Sequence, residues 1–224
     1  MTPLETDFER RGFVLLENVL SSDWLCLLQE SVEELSLKKA GTRSLLNTEW
    51  CTDLAHHLKT NPQINALLPN NAKAIQSTYF KKSSEHNWLV STHRDQFIPV
   101  KQQVNHPSWT AWTEKEGVTF VRPPIDVLKS LVIVRLHLED NTVNNGPLRV
   151  VPASHQIERT DLVNDDLASG LERVSCLVPQ GGALVMKPLL LHSSPKLQKG
   201  ERRVIHLLYG PSELPNGVEW ARAI

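Results

Sequence analysis

The chain has 224 residues, with 24 Lys and Arg against 25 Asp and Glu, nine His, three Cys and 40% hydrophobic residues. Folding at this size hides roughly 70% of the unfolded surface, so one domain over 1–224 can stand without disulfides or a structural metal. A formal net charge of -1 with both signs interspersed leaves no basic stripe for phosphates and argues against nucleic acid as a partner.

From the N-terminus, Met1 to Arg11 is polar and acidic, unlike a secretory leader. Gly12 to Leu16 reads as a short strand. Trp24, Leu25, Leu27, Leu28, Val32 and Leu35 recur at helical spacing between Ser21 and Leu37, with Ser22 or Asp23 placed to cap the start. Further helical stretches are expected around Thr52–Leu58 and Pro62–Leu68. From Ala74 onward strands prevail: 74–80, 130–138, 148–151, 173–178, 183–191 and 204–209 are rich in Val, Ile and Leu and bounded by Asn-Gly, Gly-Gly or Pro. Short strands with few helices between them argue for a mainly β fold, a jelly roll over 71–224 with a helical layer over 1–70. The longer segment 96–124 is expected to form a lid. Its Phe97, Trp109, Trp112, Lys101 and Lys115 would build either an amphipathic substrate wall or a small private core. No apolar run nears the ~20 residues of a bilayer span. Cys26, Cys51 and Cys176 are unclustered, as suits a reducing cytoplasm.

Two His-x-acid pairs occur, His93-Arg94-Asp95 and His137-Leu138-Glu139. On a strand, residues i and i+2 share a face and can hold one ion, but nine histidines and 25 acids in 224 positions produce about one such pair by chance. His192 follows Leu189-Leu190-Leu191 and precedes Ser193-Ser194-Pro195, a strand end facing a loop. Downstream, Arg202-Arg203 opens an apolar strand, where a guanidinium must find an anion because it cannot shed its charge. Two histidines, a carboxylate and a fixed cation match the facial triad of non-haem Fe(II) oxygenases with a dicarboxylate co-substrate. Ile133, Arg135, His137 and Glu139 share one strand face. That polar stripe looks onto either solvent, with Arg135 paired to Glu139, or a wet cavity. His155 and His206 read as structural.

Nearly the whole chain resembles the phytanoyl-CoA dioxygenase family of Fe(II)- and 2-oxoglutarate-dependent oxygenases. The resemblance rests on Gly12–Leu20, on Gln76–Lys81, on His93-Arg94-Asp95 as an H-x-D motif, on Asn144–His155 with Ala153 where the family usually has Gly, and on Gly182–Ser194. It implies a cupin-like double-stranded β-helix, with His93, Asp95 and His192 holding Fe(II), and it removes His137 and Glu139 from contention. The co-substrate arginine would be Arg202 if aligned on Tyr209, the preferred choice, or Arg203 if counted from His192. Ser194 would help hold the distal carboxylate, unless it is simply a turn serine, and Arg135 could bind co-substrate or substrate. The resemblance further implies a small-molecule substrate hydroxylated with O2 as oxidant and release of succinate and CO2, and the retained Asp95 argues against halogenation. A monomer or weak homo-oligomer without membrane attachment is expected. The rival readings are a metal-binding jelly roll without turnover and an iron oxygenase that does not use 2-oxoglutarate.

Overall fold

A computed structural model describes residues 1–35, 40–157 and 169–224. Helix α1 (Pro3–Arg11) was not foreseen. It is set by a capping box in which Thr2 and Glu5 bond reciprocally, by Pro3 in the first turn, and by Gly12 in the left-handed conformation at its end. Strand β1 (Phe13–Leu16) follows as expected, then α2 (Ser22–Glu34), whose cap is Ser21 rather than Ser22 or Asp23. The Ser21 side chain accepts from the Trp24 N–H. Residue 37, the expected end of this helix, lies outside the described residues. Strand β2 (Gly41–Thr42), helix α3 (Glu49–Thr60) and the single turn α4 (Pro62–Asn65) complete the N-terminal third.

The remaining strands are β3 (Lys73–Lys82), β4 (Val90–His93), β5 (Ile98–Val100), β6 (Thr110–Lys115), β7 (Val118–Arg122), β8 (Val132–His137), β9 (Arg149–Val150), β10 (Val174–Ser175), β11 (Ala183–Met186), β12 (His192–Ser194) and β13 (Arg202–Gly210), with α5 (Ile125–Lys129) before β8. They form a six-stranded sheet in the order β1-β11-β8-β13-β3-β2, a four-stranded sheet β10-β9-β12-β4, and a three-stranded sheet β5-β7-β6. All the strand pairings within these sheets are antiparallel. The chain crosses between the two larger sheets at β3 to β4, β8 to β9, β10 to β11, β11 to β12 and β12 to β13, which is the winding of a jelly roll. β1, the strand expected in the N-terminal layer, and β2, which was not foreseen, extend the large sheet at its two edges.

The two-residue period of a strand sorts the side chains of the large sheet. Val132, Val134 and Leu136 of β8, with Ile205, Leu207 and Tyr209 of β13, pack outward in one core with Leu28, Val32, Leu54, Leu58 and Ile64 of the helices. The Tyr209 hydroxyl donates to the Ala55 carbonyl at 3.1 Å and ties β13 to α3. Ile133 and Leu208 point the other way, into a second core with Leu148, Val150, Leu184 and Leu190 between the sheets. Beside Val204, the same inward face of β8 and β13 carries Arg135, His137, Arg202 and His206, which are buried and polar.

Two expectations are corrected. Segment 96–124 is no lid loop: β5, β6 and β7 make it a sheet, with Trp109 buried in the second core and Trp112 packed against it. Lys101 pairs with Glu219 at 2.9 Å. The run 183–191 is not one strand either. Pro188 cannot donate to a ladder, and the chain leaves the large sheet after Met186 to re-enter the smaller one at His192. Among the described residues no helix is long and apolar enough to cross a membrane.

Candidate metal centre and anion chamber

His93 ends β4 and His192 begins β12, and the two are direct cross-strand partners. Their ring centroids lie 4.2 Å apart. Asp95 follows two residues after His93, its backbone N–H donating to the Pro188 carbonyl at 2.9 Å, so the Pro188 turn that interrupts the apolar run also places this carboxylate. One ligand atom from each of His93, Asp95 and His192 falls within 4.8 Å of the others. Nε2 of His93 is 3.9 Å and Nε2 of His192 is 3.7 Å from an Asp95 oxygen.

The hydrogen bonds fix which nitrogens are free. His93 Nδ1 is 2.9 Å from the Ser91 carbonyl and His192 Nδ1 is 2.8 Å from the Leu190 carbonyl. A carbonyl only accepts, so both Nδ1 atoms carry the proton and both Nε2 lone pairs face Asp95. Burial holds the His192 pKa down to about 4 against the opposing pull of Asp95. Burial would raise the Asp95 carboxyl, but His192, His206, His93 and Arg135 together keep it below its ordinary value. Two neutral imidazoles and one carboxylate converge, a donor set that suits a first-row divalent ion such as Fe(II). Backbone carbonyls orient each ring, as metal-ligating histidines require.

Beside the triad is a chamber of about 110 Å³ whose lining includes His192, Ser194, Arg135, Arg202, His206 and Lys82. Arg202 is buried and shares the inward face of β13 with His206, whereas its neighbour Arg203 turns outward. Arg203 is held by Glu139 through both its backbone and side chain and reaches Glu33 at 2.9 Å. Glu139 therefore belongs to a structural ion pair. His137, fully buried with neither ring nitrogen hydrogen-bonded among the described residues, has no shared site with it. Arg135 is buried and donates to His206 Nδ1 at 3.0 Å, so the polar stripe faces the cavity and not solvent. The expected alternative, an Arg135–Glu139 pair, does not form.

Ser194 is more than a turn residue. Its hydroxyl accepts from Lys82 Nζ at 2.7 Å and from Arg202 Nη2 at 3.4 Å, and donates to the Gly146 carbonyl at 2.9 Å. That carbonyl also accepts from Arg202 Nη1. Gly146 has φ +70°, and a Cβ there would lie 2.7 Å from the Pro195 carbonyl oxygen, so the Asn-Gly-Pro turn needs glycine for both conformation and space.

Lys82, which carries no motif, is the residue that sequence reasoning missed. Burial, then Arg202 and Arg135, lowers its pKa to about 7, and burial followed by Arg135 lowers that of Arg202 to about 9. Nε of Arg135 and of Arg202 has no hydrogen-bond partner among the described residues. Three cationic side chains line one small chamber whose only carboxylate is Asp95. Such a grouping lacks an anion.

The fold recurs in solved structures. The non-haem alpha ketoglutarate dependent carbocyclase SnoK from nogalamycin biosynthesis is 14% identical, covers 95% of this chain and 85% of its own, and superposes with a TM-score of 0.68. AviO1 from Streptomyces viridochromogenes Tue57 is 19% identical with 95% of both chains covered and a TM-score of 0.68. HygX from Streptomyces hygroscopicus, solved with nickel and 2-oxoglutarate bound, is 16% identical over 95% of this chain and 88% of its own, with a TM-score of 0.63. No curated protein sequence matches at a significant level. The family model of phytanoyl-CoA dioxygenase (PhyH) matches residues 8–204, which contain the whole triad, and by that match the chain belongs to the phytanoyl-CoA dioxygenase (PhyH) family.

Proposed function

We propose that the protein is an Fe(II)- and 2-oxoglutarate-dependent dioxygenase that hydroxylates an unactivated C–H bond of a small molecule. The observation that carries this is the adjacency of a His-Asp-His donor set to a buried chamber with three cations and no anion beyond Asp95. His93, Asp95 and His192 would hold the iron on one face, leaving positions for co-substrate and O2. Bound there, ferrous iron supplies the O2 activation that couples decarboxylation of 2-oxoglutarate, giving succinate and CO2, to insertion of one oxygen atom into the substrate. Arg202, Lys82 and the Ser194 hydroxyl would take the far carboxylate of 2-oxoglutarate, with Arg202 offering the planar fork suited to two oxygens. Arg135 is oriented by His206 and reinforces the positive field from the inward face of β8. Arg203 has no part in this, because Glu139 already neutralises it.

The family match, the winding of the sheets and a relative crystallised with 2-oxoglutarate support the same reading. Anaerobic addition of 2-oxoglutarate to the Fe(II)-loaded protein is expected to produce a weak visible charge-transfer band. Metal retained without any band would overturn the 2-oxoglutarate assignment and leave a metal-binding jelly roll or an oxygenase of another kind.

A further inference from the structure

A second, larger cavity of about 400 Å³ meets the cationic chamber at the triad, since Phe80, His93, Asp95 and His206 line both. Its size falls within the range of small-molecule sites, roughly 300–1,000 Å³. The three-stranded sheet walls it. Phe97, just before β5, and Phe120 of β7 bring aromatic surface, and Ile133 and Leu208 from the large sheet bring aliphatic surface. Between the two rings stands Lys115 of β6, its Nζ 5.0 Å from the Phe97 centroid and 5.3 Å from that of Phe120.

The charges of this cavity are not alike. Arg43 is engaged by Glu116 at 3.2 Å, with further bonds from the Arg43 backbone and Thr42 to the same carboxylate. Lys115 makes no ion pair among the described residues, and the two rings hold its ammonium in place without neutralising it. Asp95 is the only acid in the lining, and it is committed to the metal in the proposed function. Arg94, the third cation of the lining, donates to the Ser154 and Ile157 carbonyls at 3.1 and 3.2 Å. A cavity with aromatic and aliphatic walls on one side and the Lys115 ammonium between its rings recognises a molecule that is apolar along its body and negative at one end.

We propose that the substrate is a small amphipathic carboxylate, its carboxylate paired with Lys115 and its apolar body lying against Phe97 and Phe120 beside the triad. The inference deepens the proposed function and rests on it for its catalytic meaning; binding of the carboxylate itself requires no metal. It assigns specificity to the β6–β7 hairpin, a part of the chain that contributes nothing to the triad.

Isothermal titration calorimetry of the metal-free protein with octanoate and 4-phenylbutyrate, and with their neutral amides, tests it. The acids are expected to bind at least about tenfold more tightly than the amides, the order of a single charge-assisted contact. The preference should vanish in Lys115→Met, return in Lys115→Arg, and survive Lys82→Met, which separates this cavity from the cationic chamber. Equal affinity for acids and amides, no binding of either acid at millimolar concentration, or a preference that persists in Lys115→Met would each overturn it. Because no iron is present, failure here with an intact 2-oxoglutarate charge-transfer band removes the substrate class alone. A missing band with the acid preference intact removes the proposed function and leaves the carboxylate site.

Discussion

Lys82 and Arg202 sit directly opposite one another on β3 and β13, two buried cations in cross-strand register with a shared hydrogen-bond partner in Ser194. Like charges facing each other in a sheet are unfavourable, so the pair is stable in a folded protein only where an anion or a lost proton relieves it. A dicarboxylate would do so from the chamber side. Lys82→Met is accordingly expected to weaken 2-oxoglutarate binding by about tenfold, and Arg202→Met by about a hundredfold, with metal affinity unchanged in both. Titrating 2-oxoglutarate into the Fe(II)-loaded variants under anaerobic conditions measures this. Wild-type affinity in both variants would show that the chamber is not the carboxylate site.

The two His-x-acid pairs should separate cleanly. Asp95→Ala is expected to abolish iron retention through gel filtration and to abolish succinate formation, while Glu139→Ala retains the metal. Glu139→Ala instead strips a half-buried partner from Arg203 and should cost about 1–3 kcal/mol of stability, read from urea midpoints. Equal loss of iron in the two variants would contradict the assignment of ligands.

Ala153 has φ +64° and ψ 0°, a left-handed conformation that a Cβ disfavours by about 1–2 kcal/mol. It stands where the resembled motif usually carries glycine. Ala153→Gly should therefore stabilise the protein by about 0.5–1 kcal/mol net of the freedom glycine gains in the unfolded chain, raising the melting temperature by a few degrees. A lowered melting temperature would mean that the Ala153 methyl packs to an advantage that outweighs its strain.

His137 is buried with both ring nitrogens unpartnered among the described residues, and burial, then Arg135 and Arg202, holds its pKa well below the ordinary value of 6.5. The folded state thus refuses a proton that the unfolded state accepts. Its contribution is fully present above about pH 6.5 and is lost as pH falls, at up to about 1.4 kcal/mol per pH unit for one proton. For the metal-free protein, unfolding free energy should decline from pH 7 to pH 5. His137→Leu should decline less steeply, with no loss at pH 7, because no hydrogen bond is broken. An unchanged slope would show that other groups govern the acid limb.

The parts of the site that follow local rules were legible in the sequence. His93 and Asp95 are two apart, and the two-residue period of β8 puts Arg135 and His137 on one face. The choice of Arg202 over Arg203 follows from the same alternation once the face is known. Lys82 was not legible, since a lysine at a strand end looks ordinary until β13 places Arg202 beside it across more than a hundred residues of chain. Segment 96–124 was misread because its strands are short and its β6 face is largely exposed, leaving little hydrophobic period to see. The left-handed Glu116-Gly117 turn between β6 and β7 was the overlooked signal. Likewise Leu189-Leu190-Leu191 is apolar because it is buried between sheets, not because it continues β11.

The cysteines described with the composition acquire a practical meaning from their positions. Burial pushes the Cys51 thiol up to about 11 and the Cys176 thiol up to about 12, so neither forms the reactive thiolate near neutral pH. Cys26 alone is exposed, on α2, and lines neither the cavity nor the chamber. A maleimide dye or spin label would therefore attach at one defined address on the native protein, leaving both chambers untouched and offering a fixed reference point for measuring movements of the β6–β7 hairpin.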